Sequence, residues 1–232
     1  MPMQLTSHFV AFIDVLGFSD MVRHDCESSD SPKYLDILYK AHNRASLIFG
    51  KDLDAGLIQF SDSVVFSRPF DLSEFSGFLS AIAEWQKGLL MDGLLCRGGV
   101  TFGKHFVKDR FMFSKGMIEA YQLESLQARY PRIVVSDNLL ELANPTIDAS
   151  KLQILHEEDG LAFVDYLVAK SPDETEALVS RVKALIEGTS TASASVQEKM
   201  RWLARYSDFK FESSLSVPPF KSPPCVALLG VE

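Results

Sequence analysis

Long apolar runs are missing from this chain of 232 residues. None approaches the roughly 18 to 20 residues needed to cross a bilayer, so no membrane partner is expected. Residues Met1 to Thr6 lack the charged start and apolar core of a secretory signal, and a cytoplasmic location is expected. Cysteine is scarce: Cys26, Cys96 and Cys225 are widely spaced and odd in number, which indicates neither a disulfide framework nor a zinc site. The five histidines form no ligand-spaced pair, so any metal here is a hard cation on oxygen ligands. Positive charge is also short. With 23 Lys and Arg against 31 Asp and Glu, the net charge of −8 argues against a nucleic-acid partner.

What the chain does have is apolar material. At 47% hydrophobic content it can bury a sizeable core, as one large domain or one domain plus an appendage. The most telling stretch runs from His8 to Ser19. Six of the seven residues from Phe9 to Val15 are apolar, which reads as a buried strand. Asp14 stands at its end, and a carboxylate there costs several kcal/mol unless a metal, a cation or a helix N-terminus compensates it. Gly17 breaks the strand and a helix begins at Phe18. Two readings of Asp14 therefore stand at this point: a helix cap, or a site residue.

The rest of the chain alternates helix and strand. A helix follows from Pro32 to about Phe49, then two short strands, Gly56–Phe60 and Val64–Phe66, joined by Ser61, Asp62 and Ser63. Tight hairpin turns favour Asn-Gly or Asp-Gly, so a turn without Gly hints that Asp62 is held for another reason. A helix over Asp71–Leu90 puts Phe75, Phe78, Leu79, Ile82 and Trp85 on its inner side. The strand Leu94–Phe106 carries Gly98, Gly99 and Gly103, which mark close approach of a ligand or another backbone. Then come a helix over Lys115–Ala128, a strand at Ile133–Ser136, a short helix over Asn138–Ala143 and a strand pair near Leu152–Leu155 and Ala162–Val164. Helices over Pro172–Gly188 and Val196–Tyr206 flank a small-residue linker, Thr189–Ser195, and a proline-rich tail follows. Lys199, Arg201 and Arg205 read as a solvated face of the last helix.

This order predicts a mixed α/β (α+β) fold built on a ferredoxin-like antiparallel sheet with additions. Residues 1–170 are expected to form the main domain, with the helices and tail of 171–232 packed on it. In such a sheet the first strand and the hairpin lie side by side, so Asp14 and Asp62 meet at one edge. Two carboxylates within about 4 to 6 Å repel unless a cation lies between them. The pair suits magnesium or manganese, completed by substrate phosphates.

At this point the residues resemble a known family, the class III nucleotidyl cyclases. Phe12-Ile13-Asp14-Val15-Leu16-Gly17-Phe18-Ser19 is similar to that family's first metal motif, and Ser61-Asp62 to its Gly-Asp hairpin. Arg97-Gly98-Gly99-Val100-Thr101-Phe102-Gly103 resembles its Arg-x-Gly-Ile-x-x-Gly strand. The segment from Phe113-Ser114-Lys115-Gly116 to Ala120-Tyr121-Gln122-Leu123-Glu124-Ser125 is similar to its following helix. The match covers roughly residues 8 to 130. Within the family, the wording of these motifs is nearest to the standalone pyrimidine cyclases of bacterial Pycsar anti-phage systems.

The resemblance implies metal ligation by Asp14, Asp62 and the Val15 carbonyl, with two Mn2+ or Mg2+ ions per site. It implies phosphate contact by Arg97, and a substrate-binding role for Phe18, Ile58, Phe111, Lys115 and Tyr121. It also implies a homodimer with shared sites, and a separate effector that reads the cyclic nucleotide. The chain departs from purine cyclases at the base-reading positions, which here are Ile58 and Phe111, so UTP is expected as substrate, with CTP as the alternative and a purine cyclase behind both. The transition-state Asn and Arg positions hold Ile118 and Gln122, leaving Lys115, Tyr121 or a C-terminal cation to serve instead. A non-catalytic nucleotide-binding protein is a further reading. A diguanylate-type palm domain is disfavoured, since no Gly-Gly-Asp/Glu-Glu-Phe turn occurs.

Overall fold

The computed structural model describes residues 4–49, 56–108, 111–143, 152–189 and 193–217. The proline-rich tail with Cys225, and residues 190–192 of the linker, lie outside the described residues.

Strand β1, Thr6–Val15, occupies the centre of an eight-stranded sheet because it is apolar on both faces. Phe9, Ala11 and Ile13 join the main core, while Val10 and Phe12 join a second, smaller cluster on the opposite face. The hairpin strands β2, Gly56–Phe60, and β3, Ser63–Pro69, lie on one side of β1, and β4, Cys96–Lys108, lies on the other. The order β2-β3-β1-β4 is antiparallel throughout, the ferredoxin-like arrangement expected from the element sequence. Beyond β4 the sheet is extended by β6, Ile133–Val135, which runs parallel to it, and then by β8, Ala162–Val164, and β7, Ile154–His156.

The main face is covered by α2, Tyr34–Phe49, and α3, Phe75–Asp92. A short 3-10 turn at Leu72–Glu74, capped by Asp71, leads into α3, so the helix starts later than its apolar spacing suggests. Helix α1, Phe18–Glu27, and the short α5, Asp137–Ala143, complete the connections. Phe78, Leu79, Ile82, Trp85 and Leu89 of α3 are fully buried in the main core with Phe9, Ala11 and Ile13 of β1. The other face is covered by α4, Lys115–Gln127, whose buried residues are Gly116, Ala120 and Glu124. The β4 glycines explain how α4 lies so close. A Cβ on Gly99 would stand 2.3 Å from the Ala120 carbonyl oxygen, and one on Gly103 would stand 2.9 Å from the Gly116 nitrogen. What approaches β4 is the helix backbone.

Several elements differ from the sequence reading: α2 begins at Tyr34, after Pro32, and β3 runs longer than Val64–Phe66 at both ends. Strand β5, Phe111–Ser114, pairs with the end of β4 and had no periodic signal, being four residues long. β4 is displaced by two residues toward the C-terminus, because Leu94 and Leu95 belong to the turn that caps α3 at Gly93. The last helix, α7, runs from Ala194 to Phe211, longer than the expected Val196–Tyr206. Its extension is anchored: Tyr206 Oη accepts from the Tyr166 and Leu167 N–H groups and donates to Asp165 at 2.6 Å, and Lys210 reaches the same carboxylate. Helix α6, Pro172–Gly188, contributes Leu178 and Val182 to the main core, beside Trp202, Leu203 and Tyr206 of α7. Among the described residues no helix is long and apolar enough to cross a membrane.

Candidate active site

The site is assembled where β1 ends. Asp14 is opposite Ser63 of β3 on one side and opposite Arg97 of β4 on the other. The β2–β3 turn consists of Ser61 and Asp62, with Ser61 in the left-handed region at φ 52°. Such turns need positive φ, and a serine accepts it at some cost in strain. The Val15 N–H donates to the Asp62 carbonyl at 3.0 Å, which ties the turn to the end of β1. Asp62 is thereby set beside Asp14.

Helix capping does not account for Asp14. The N-cap of α1 is Gly17, at φ 80°, and no side chain caps that helix. Instead the Asp14 carboxyl is held in the strand end, where Ser63 Oγ donates to it at 3.5 Å. Burial pushes its pKa up to about 6, and the neighbouring Asp62 charge pushes the same way; Arg97 and Ser63 oppose both. Asp14 therefore takes up a proton at a higher pH than an ordinary aspartate, first because it is buried and second because Asp62 stands beside it.

That crowding is the test of whether a divalent cation fits. Two adjacent carboxylates offer the hard oxygen donors that magnesium and manganese prefer, and a bound cation would offset their mutual repulsion. Among the described residues no three His, Cys, Asp or Glu side chains gather as a metal-binding set. The two carboxylates leave the rest of a coordination sphere to backbone, water and substrate oxygens.

Arg97 is placed differently from a free phosphate contact. Its Nε lies 2.6 Å from Glu124 Oε1 and 3.9 Å from Asp14 Oδ2. Glu124 is buried on the inner face of α4, and burial raises its pKa, with Arg97 opposing and Asp14 and Asp62 adding to the rise. This is the site residue that sequence reasoning missed. A signal was present: Gly116, Ala120 and Glu124 recur every four residues, so the carboxylate shares the face that two small residues press against the sheet.

The remaining candidates are not gathered in one place. Ile58 and Phe111 line one groove of about 640 Å3 with Phe60, Phe113, Lys115 and Ile118. Phe111 is 58% exposed and meets Phe106 edge-on, while Lys115 pairs with Glu119 at 3.2 Å on the solvent side of α4. Tyr121 is half exposed and packs edge-on against Phe12 at 5.3 Å. Phe18 stands apart from both groups, in an apolar recess between α1 and α2 with Met21, Tyr34 and Leu38. Val15 is held at the strand end beside Cys96. Of the cations on α7, Lys199 reaches Ser195, Arg201 reaches Gln197 and Arg205 reaches Glu158.

The class that fold and site define is a mixed α/β domain with a carboxylate pair at the end of its central strand. Particular solved structures similar to it are nucleotidyl cyclases. A bacterial light-regulated adenylyl cyclase is 13% identical, with a TM-score of 0.46, over 80% of this chain and 59% of that one. The guanylate cyclase domain of RhGC from Catenaria anguillulae, in complex with GTP, is 15% identical, with a TM-score of 0.46, over 68% of this chain and 96% of that one. The guanylyl cyclase Cya2 is 13% identical, with a TM-score of 0.39, over 74% of this chain and 97% of that one. No protein-family model and no curated protein matches the sequence.

Proposed function

We propose that the chain is a nucleotide cyclase that converts UTP to 3′,5′-cyclic UMP and pyrophosphate, as a second messenger in anti-phage defence. The observation that carries the reading is the placing of Asp14 beside Asp62, with the Asp14 pKa raised to about 6. Residues 1–170 form the catalytic domain and 171–232 an extension of it, whose described helices α6 and α7 pack on the same core. Asp14, Asp62 and the Val15 carbonyl would hold two Mn2+ or Mg2+ ions. When bound, these supply activation of the ribose 3′-hydroxyl and neutralise charge on the departing pyrophosphate.

The chain's own residues bind and orient. Arg97 presents its guanidinium to phosphate oxygens at the carboxylate edge. Lys115 stands at the N-terminus of α4, where a polyphosphate is favoured by the helix dipole; Tyr121 and Phe18 are the further substrate-binding residues of this reading. Ile58 and Phe111 line a shared groove with no charged hydrogen-bonding pair in it, which suits a small base. Selection there rests on volume and favours a pyrimidine, with uracil and cytosine poorly separated. The chain carries one copy of each motif, so a homodimer with two symmetric shared sites completes the chemistry.

The test is to incubate purified protein with each of the four NTPs and manganese, and to identify products by mass. Cyclic UMP is expected as the main product, with some cyclic CMP. If ATP or GTP is turned over fastest, the protein is a purine cyclase; no cyclic product from any NTP overturns the reading.

A further inference from the structure

Glu124 is a buried carboxylate with a role that packing alone does not explain. Charged side chains are rarely buried without full hydrogen bonding. Elsewhere in the molecule a buried ion pair is built as a brace: Arg132, 1% exposed, bonds Glu157, Asp159 and the Gln127 carbonyl, and stacks on Tyr130. Arg97 is not held in that manner. Its Nε and Glu124 Oε1 stand 2.6 Å apart, yet neither atom has a well-directed hydrogen bond to the other. Among the described residues its terminal nitrogens form no hydrogen bond, and the side chain is 29% exposed. The contact is an ionic tether on the base of the guanidinium, with the two-pronged end left over.

The register explains what the tether opposes. Arg97 is the β4 partner of Asp14, so an untethered guanidinium lies within reach of the two clustered carboxylates. Its charge already stands 3.9 Å from Asp14. An arginine that closed onto Asp14 would occupy the place of a cation between the carboxylates. α4 is pressed onto β4 through Gly99, which fixes Glu124 over the sheet within 2.6 Å of the Arg97 Nε, nearer than Asp14 at 3.9 Å.

We infer that Glu124 is a positioning residue, which holds Arg97 off the Asp14–Asp62 pair and so keeps that pair open to a divalent cation while leaving the guanidinium's outer nitrogens for an oxyanion beside it. The inference rests on the carboxylate pair being the metal site, and it makes Glu124 act through Arg97 alone.

A double-mutant cycle on Mn2+ affinity tests it without turnover. Mn2+ binding is measured by titration calorimetry on full-length wild type, E124Q, R97A and the double variant, each checked for a cooperative thermal transition. Simple electrostatics predicts that loss of one negative charge weakens Mn2+ by the same factor in either background. The tether predicts otherwise: E124Q weakens Mn2+ binding about tenfold or more when Arg97 is present, and less than about twofold when it is alanine. A brace that only stabilises α4 predicts a lower melting temperature with Mn2+ affinity unchanged. Should E124Q fail to fold, E124M, of similar volume, takes its place. Additive effects, or an unchanged affinity, overturn the inference and leave the metal site standing. Absence of Mn2+ binding by the wild type overturns both.

Discussion

Asp14 and Arg97 are register partners across the β1–β4 ladder, yet the guanidinium stands 3.9 Å from Asp14 and 2.6 Å from Glu124 on α4. The strand end thus holds Asp14, Asp62 and Glu124 against one arginine. One positive charge cannot neutralise three carboxylates, and the Asp14 pKa is raised to about 6, by burial first and by the Asp62 charge second. A divalent cation entering the strand end relieves that imbalance.

Replacing either Asp14 or Asp62 by alanine removes half of the carboxylate pair. Cyclisation is expected to fall by at least about 100-fold, since general charge stabilisation by bound metal supplies several kcal/mol. The fold should persist, because relief of the crowding raises thermal stability in the absence of metal. Product quantified by mass spectrometry, beside a melting curve, checks this. Full product formation by either variant would sink the two-metal reading.

Two buried groups set opposing pH dependences. Asp14 has its pKa raised from 3.8 to about 6, so acidification between those values protonates the folded chain first and stabilises it. His105 is 2% exposed, and burial, with His8 adding to it, lowers its pKa from 6.5 to about 4. Acidification through that window protonates the unfolded chain first and destabilises the fold. Each effect is on the order of 2 to 3 kcal/mol, so the wild type should show a nearly flat stability between about pH 6.5 and 4. Denaturant titrations should separate them: D14N loses stability on acidification across this window, and H105Q gains it. Parallel slopes in the two variants would contradict the assignment.

Contact between α4 and β4 predicts a contrast between two glycines. A Cβ on Gly99 meets the Ala120 carbonyl at 2.3 Å and Leu123 Cβ at 2.6 Å, so Gly99→Ala must lift the helix or shift the strand. A loss of about 1 to 3 kcal/mol is expected, seen as a melting temperature lower by several degrees. Gly188 has nothing within 4 Å, so Gly188→Ala should leave stability unchanged or slightly higher. Equal effects at the two positions would show that α4 packs less closely than described.

If the sites are shared between chains, mutants defective in different halves rescue one another. Mixing Asp14→Ala with a variant altered at Ile58 and Phe111 should restore part of the activity, because one of the two mixed sites then has an intact set of each kind. Partial rescue measured against each homodimer is the expected outcome. Full activity from a verified monomer would remove the need for a second chain.

Phe111 carries the clearest prediction on the base. It lies on β5, 58% exposed, in the groove with Ile58. Exclusion by a bulky ring is a repulsive device, so Phe111→Ala should admit purine triphosphates at some cost in rate. Competition between UTP and GTP, read as the ratio of cyclic products, measures it; an unchanged ratio would place base selection elsewhere.

Much of the fold was legible because its elements carry strong periods. The continuous apolar run of β1, the two short strands around Ser61 and Asp62 and the aromatic stripe of α3 each imply burial, and the element order implies that β1 and the hairpin lie side by side, as they do. The meeting of the β1 end with the β2–β3 turn comes from that order. β5 was not legible, because four residues hold too few periods to distinguish a strand from a loop. Nor was the Arg97–Glu124 contact, since 27 residues separate the two in sequence and it is the absence of a side chain at Gly99 that brings α4 down. A sequence shows that such a glycine is present; it does not show which backbone uses the space.

The anchoring of α7 has a consequence in time. Trp202, Leu203 and Tyr206 belong to the same core as Phe9 and Ile13 of β1, near the other end of the chain. In a growing polypeptide β1 is therefore made long before the α7 residues that finish enclosing it. Until Tyr206 can seize the backbone at Tyr166 and Leu167, those apolar surfaces have only provisional cover. A message truncated ahead of residue 194 should give a product that collects in the insoluble fraction, however complete its candidate active site is on paper.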